Sequence, residues 1–303
     1  MKHLLSAIFF LFVFFIMLLF PSVTLCGASN GLLLWFQILI PTLLPFLIIT
    51  NLLIQSNSIS YIVKFIGPFI QKVFHVSSYG SFAALTGLLC GYPIGAKVTA
   101  ELVKRKQLSL HEGNYLLSFC NQTSPAFISS FIVLQTWKDS SLLLPTLIII
   151  YLSTFLCSLI FRKIHKISST IDNTTSCYNI IFRFDILDNS IMNAFETLTK
   201  IGGYIIICSI IFSFCCSFSD SIFLSLIEIT TGIKHILSMS SKFTYEYIYV
   251  LSVCSFGGIC SIFQTASVIQ GSGLSIVFYT IEKLITALVT SLLSFLYITI
   301  ILR

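Results

Sequence analysis

Seven consecutive residues, Gly91-Tyr92-Pro93-Ile94-Gly95-Ala96-Lys97, interrupt an otherwise apolar stretch with residue types that could do chemistry. Pro93 has no amide hydrogen and breaks a helix, while Gly91 and Gly95 allow backbone angles that other residues resist. Interrupted backbone persists inside a bilayer only where it is buried in protein or lines a wet cavity. The break leaves helix ends whose free amides can hold an anion. Lys97 follows, and a cation in apolar surroundings costs about 2.5–3.5 kcal/mol. Its partner is then an anionic substrate or a carboxylate. It also reads as a lysine that snorkels to the cytoplasmic interface or pairs with Glu101 one turn on.

A second glycine break, Gly257-Gly258, precedes the polar Gln264. Glycine pairs also let helices approach closely, so this one is read with its position opposite the first. Glu112 and Glu282 accompany the two breaks and are candidates for binding a coupling cation, a proton or Na+. Glu112 equally fits a capping box with Ser109, and Glu282 a local pair with Lys283. Asn121-Gln122-Thr123-Ser124-Pro125 would partly unwind its helix and expose carbonyls to a substrate or ion, or bond between helices. Pro41 and Pro45 read as kinks. The substrate-binding candidates are Gly91, Tyr92, Pro93, Gly95, Lys97, Asn121, Gln122, Gly257, Gly258 and Gln264. Convergence of Lys97, Asn121, Gln264 and Glu282 on one cavity would join them into one site.

The elements that must position these residues are membrane helices. Charged residues make up 9% of the chain, hydrophobic residues 56%, and mean hydropathy is +0.98. No Asp, Glu, Lys or Arg lies between Lys2 and Lys64. Other uncharged runs cover 113–137, 140–161, 201–219 and 247–281, each comparable to the roughly 17–25 residues of a crossing helix. The runs do not alternate, which excludes a β-barrel. The expected fold is all-α and polytopic, with the lipid bilayer as its surroundings. The net charge of +6 sits in short clusters beside apolar runs, a membrane pattern and not a nucleic-acid one. The ten cysteines carry no metal or disulfide spacing, and nothing calls for a cofactor. No phosphate loop, zinc spacing or nucleophile elbow is present, so no enzyme is expected. The oligomeric state stays open.

With the N-terminus cytoplasmic, 4–20 crosses outward as a retained anchor or resembles a signal peptide, and 31–54 returns. Residues 59–75 lie at the interface. If 79–103 crossed, Lys104-Arg105-Lys106 would fall outside, so this stretch is expected to be a re-entrant hairpin. Then 112–135 goes out and 141–161 returns. Residues 162–190 form a polar cytoplasmic linker; Asn173-Thr174-Thr175 within it matches a glycosylation pattern and is discounted there. The second half repeats the order: 194–218 outward, a short amphipathic 220–240 with Glu228, 247–271 as a second hairpin, and 274–301 back to Arg303 inside. The implied division is 1–30, a first repeat 31–138, a connection 139–190 and a second repeat 191–303. Such inverted repeats are a common transporter plan.

Gly91-Tyr92-Pro93-Ile94-Gly95-Ala96-Lys97, with Leu108-Ser109, Glu112, Phe119-Cys120-Asn121 and Pro125-Ala126-Phe127-Ile128, resembles the YlbJ family of sporulation integral membrane proteins. Leu226-Ile227-Glu228-Ile229-Thr230-Thr231-Gly232 and Phe256-Gly257-Gly258 with Gln264 are similar to the family's second half. The family belongs to a wider group with nucleoside-recognition Gate domains. The resemblance implies a membrane protein of endospore formers, made in the mother cell and placed in the outer forespore membrane. It implies movement of dipicolinic acid, a small aromatic dianion suited to Lys97, Tyr92 and the helix ends. The competing expectation is a membrane scaffold or signalling protein of spore envelope assembly that transports nothing.

Overall fold

The computed structural model describes residues 2–56, 58–167, 183–219, 221–239 and 242–300, and every regular element among them is helical. The chain is a polytopic helical membrane protein. Five described segments are long and apolar enough to cross a bilayer: Pro21–Gln55, Ser140–Ile164, Phe184–Phe218, Phe243–Ile269 and Ile276–Ile300. Leu144, Ile148, Leu288 and Leu292 are exposed on their outer faces, while Thr146, Ser153, Thr290 and Ser294 are buried. Polar groups inside and apolar groups outside is the arrangement that a lipid solvent favours.

In chain order, α1 (Lys2–Leu19) leads to α2 (Pro21–Leu34), a π-helical turn Trp35–Leu39 and α3 (Ile40–Gln55). The crossing segment expected at 31–54 therefore starts at Pro21. The amphipathic α4 (Ile59–Phe74) buries Ile59, Val63 and Ile70, and exposes Phe65 and Phe69 between Lys64 and Lys72. Apolar and basic residues sharing one exposed face suit a membrane surface. The chain bends by 91° into α5 (Ser78–Cys90), which folds back at Gly91–Pro93 onto α6 (Ile94–Lys104). The α5 rod has 13 residues, about 20 Å, too short to cross the roughly 30 Å hydrocarbon layer. Helices α5 and α6 form a helical hairpin where a re-entrant one is expected.

Next come α7 (Leu110–Cys120), a break at Asn121–Ser124, α8 (Pro125–Phe127) and a π-helical run Ile128–Trp137. Helix α9 (Leu143–Ile164) follows. Residues 168–182, most of the expected linker and its Asn173 pattern, lie outside the described residues. Helix α10 (Phe184–Phe218) begins ten residues before the span expected at 194. A 3-10 turn Ile222–Leu226 folds onto α11 (Ile229–Met239), followed by α12 (Phe243–Phe256), α13 (Gly258–Ile269) and α14 (Ile276–Ile300). Helix α10 lies antiparallel along α2 and α3: Gly27 meets the Ile210 backbone, Gly31 that of Ile206, and Asn51 bonds Ser190 O.

Contacts assign each element an end. At the basic end, Arg105 bonds Ile54 O, Asn114 accepts from Ser275 N, and His165 meets Glu282. At the opposite end, Trp137 bonds Glu246, and Tyr247 contacts Thr146 and Tyr297.

These contacts correct two expectations. The stretch 247–271 is not a hairpin. Helices α12 and α13 run on as one crossing segment from the Trp137 end to the Lys104 end, where Gly271 adjoins Lys104. Helix α13 packs on α6 and α10 and not back on α12. The second fold-back is instead the Ile222–Leu226 turn with α11, whose tip reaches the middle of the α12–α13 passage: Cys260 N donates to Ile227 O. Helix α14 then runs from the basic end to the Trp137 end, opposite to the expected direction. Arg303 itself lies outside the described residues.

Candidate functional site

Four backbone interruptions meet at the middle of the molecule. The first hairpin tip touches the broken stretch between α7 and α8, because Tyr92 N donates to Gln122 O at 2.9 Å. The second broken span touches the second tip through Cys260 N and Ile227 O, also 2.9 Å. The α7–α8 break is joined to the α12–α13 segment by Thr123, whose hydroxyl donates to Cys254 O at 2.6 Å. Tyr92 lies beside Gly257. Polar backbone groups freed at one break thus find partners on another, as buried backbone requires.

Gly91 sits at φ +82° with its Cα against Ser124 N, so both angle and space favour glycine. Gly257 at φ +87° ends α12 in the left-handed region. A cavity of about 170 Å³ lies at this junction, lined in part by Tyr92, Thr123, Ser124, Glu228 and Gln264. The Glu228 carboxylate is buried and accepts from Thr230 N at 3.0 Å and Thr231 N at 2.7 Å, capping α11.

Lys97 points elsewhere, into a polar cavity of about 520 Å³ that opens at the basic end. Its ammonium donates to Thr197 Oγ1 at 2.6 Å and Asn193 O at 3.3 Å, both on α10. Glu101, its possible partner, pairs with Arg105, and Glu196 pairs with Lys200. Lys97 and Lys104 therefore leave the vestibule with an excess of positive charge among its described lining residues.

Asn121 is fully buried and donates to Thr265 Oγ1 and Tyr279 Oη, both at 2.9 Å, and accepts from Ala96 N. Gln122 is buried beside it and accepts from Lys283. Pro93 and Gly95 are buried in the hairpin. Gln264 contacts Cys260 Sγ one turn back and faces the central cavity, and Gly258 packs on Leu226 O and Ile227 O.

Glu112 takes the helix-start position of its capping reading. Its amide donates to the Ser109 N-cap, and its Oε1 accepts from Ser77 N at 2.6 Å, tying the start of α7 to that of α5. It lines a cavity of about 430 Å³ at the basic end with His75, His111 and His165. Glu282 does not pair with Lys283: its Oε1 meets His165 Nε2 at 2.6 Å.

Lys97, Asn121, Gln264 and Glu282 do not line one cavity. Lys97 faces the vestibule, Gln264 the central cavity, and Glu282 a buried pair with His165, while Asn121 joins α7 to α13 and α14. Sequence reasoning missed Lys283, His165 and Glu228. Lys283 was read through its neighbour in sequence, although i and i+1 on a helix do not face each other. Glu228 had a visible signal, a carboxylate followed by Thr230-Thr231 at a helix start.

No family model matches the chain, and no solved structure matches it. Over 139 residues, 46% of this chain, it is 34% identical to the sporulation integral membrane protein YlbJ of Bacillus subtilis (strain 168). The aligned part is 34% of that protein, so the match spans about a third of the relative's length.

Proposed function

We propose that this chain is a membrane transporter of a small organic anion that acts during endospore formation, with dipicolinate as the candidate substrate. The observation that carries the reading is the meeting of two fold-back tips and two broken spans in mid-molecule. Interrupted backbone is tolerated in a membrane protein where it is buried in protein or lines a cavity, and transporters place substrate sites at such interruptions. The order of elements supports an inverted repeat. A long segment (α2–α3), a fold-back (α5–α6), a broken span (α7–α8) and a span (α9) are followed by α10, the α11 fold-back, α12–α13 and α14. The second set runs between the ends in the opposite direction.

The vestibule supports an anionic substrate. Lys97 and Lys104 favour an anion entering from the basic end, and the hairpin that carries Lys97 leads from there to the central cavity. The relative's name supports a sporulation role. The outer forespore membrane and kinship with the nucleoside-recognition Gate group belong to the same proposal.

The test is uptake of dipicolinate into vesicles holding the purified chain. Wild type is expected to take it up, Lys97→Ala to lose at least about tenfold, and Lys97→Arg to retain part, since a cation in an apolar setting is worth a few kcal/mol to an anionic partner. Vesicles impermeable to dipicolinate would sink the reading and favour the scaffold alternative.

A further inference from the structure

Lys283 lies on α14 beside the unwound Asn121–Ser124 segment, with 1% of its surface exposed. Its ammonium donates to Gln122 Oε1 and to Asn121 O, the latter at 3.3 Å. No carboxylate among the described residues is within ion-pair distance of it. Its neighbour Glu282 is engaged by His165 of α9. Titratable side chains close to Lys283 include Cys157 of α9 and Cys120 of α7. On α14 itself, Tyr279 is taken up by Asn121. Two buried polar atoms nearby, Gln122 Nε2 and Glu282 Oε2, have no hydrogen-bond partner.

A carbonyl and an amide oxygen exposed by an unwound membrane helix are the ligands that a transporter offers to a sodium ion. Here a lysine ammonium occupies that set of oxygens. We propose that the Lys283 ammonium is the resident cation of the coupling site, so that transport by this chain is driven by protons and not by sodium. The role rests on the transport reading above.

In the coupling step an Nζ–H bond breaks, the electron pair stays on nitrogen, and the proton passes to water admitted when the site opens. The neutral amine then accepts a proton from water on the other side of the membrane. Desolvated lysines exchange protons readily because burial opposes their charge. The neutral amine keeps two N–H bonds but loses the charge, so its hold on Asn121 O and Gln122 Oε1 is tight in one protonation state and weak in the other.

Two measurements test the proposal. In the first, the melting temperature of the purified full chain is compared in sodium chloride and choline chloride at equal ionic strength. Wild type is expected to show no difference. Lys283→Ala and Lys283→Met, which vacate the oxygens, are expected to gain a sodium-specific rise of a few degrees, because a ligand held only by the folded state stabilises it. A sodium-specific rise in wild type overturns the proposal, as do folded variants that gain none.

In the second, vesicles take up dipicolinate under an inward proton gradient or an inward sodium gradient. Proton-driven accumulation alone is expected, and Lys283→Gln should abolish it. Sodium-driven accumulation in wild type, which needs no variant to fold, overturns the proposal. Absence of any dipicolinate flux instead refutes the transport reading and the coupling role with it. The melting comparison then still decides whether Lys283 fills a cation site.

Discussion

At the scale of single residues, close approach of backbones explains several identities that charge does not. A side chain added at Gly95 would place its Cβ 2.5 Å from Cys120 O and 2.9 Å from the Gly87 Cα. Both obstacles are backbone, so neither can swing aside. Gly95→Val is expected to destabilise the protein by about 1–3 kcal/mol through overpacking. Thermal unfolding in detergent checks this; an unchanged melting temperature would mean that α5, α6 and α7 do not pack as described. The residue scale was also where sequence reasoning was most uneven. Gly91 and Pro93 announce a break by type alone, and the break is where they put it. Glu282 and Lys283 look alike in sequence, adjacent and oppositely charged, yet helical geometry turns them to different partners.

Between elements, the firmest seam joins α10 to α2 and α3. Gly27 and Gly31, four residues apart, bring the two helices to backbone contact, and the Trp35 indole donates to Leu198 O at 2.8 Å over Gly202. Without a hydrophobic driving force in lipid, small residues and interhelical hydrogen bonds are what hold such a pair. Gly31→Leu is expected to separate the helices and lower the melting temperature, whereas Leu32→Ala on the exposed side should change it little. Equal effects from the two substitutions would contradict the seam. Helix α4 was legible as a short interfacial segment marked by Lys64 and Lys72. The Ile222–Leu226 fold-back was not, because a five-residue 3-10 arm has no helical period to read.

For the whole molecule, the direction of α12 to α14 is the sharpest claim. Single cysteines introduced at Lys106 and Gln270, in a background with the native cysteines replaced, are expected to react with an impermeant thiol reagent from one side of the membrane. Those at Lys138 and Lys242 should react from the other. Reaction of Gln270→Cys and Lys138→Cys from the same side would restore the hairpin at 247–271. Composition and charge-free runs were enough to read a helical membrane protein, because lipid imposes that pattern over tens of residues. Direction in the second half was harder. Few charges mark its loops, and a glycine break inside a span looks the same in sequence as the tip of a hairpin. The site was legible as parts and not as an arrangement: contacts such as Thr123 to Cys254 join residues 131 positions apart.

The bond from Lys97 to Thr197 spans the boundary between the fold-back and the long α10. It uses the very ammonium that an incoming anion would claim. Under the transport reading, a dianion that draws the charge toward itself also unfastens the hairpin from its neighbour. Recognition and unlocking are then a single event, and a vestibule without cargo stays bolted.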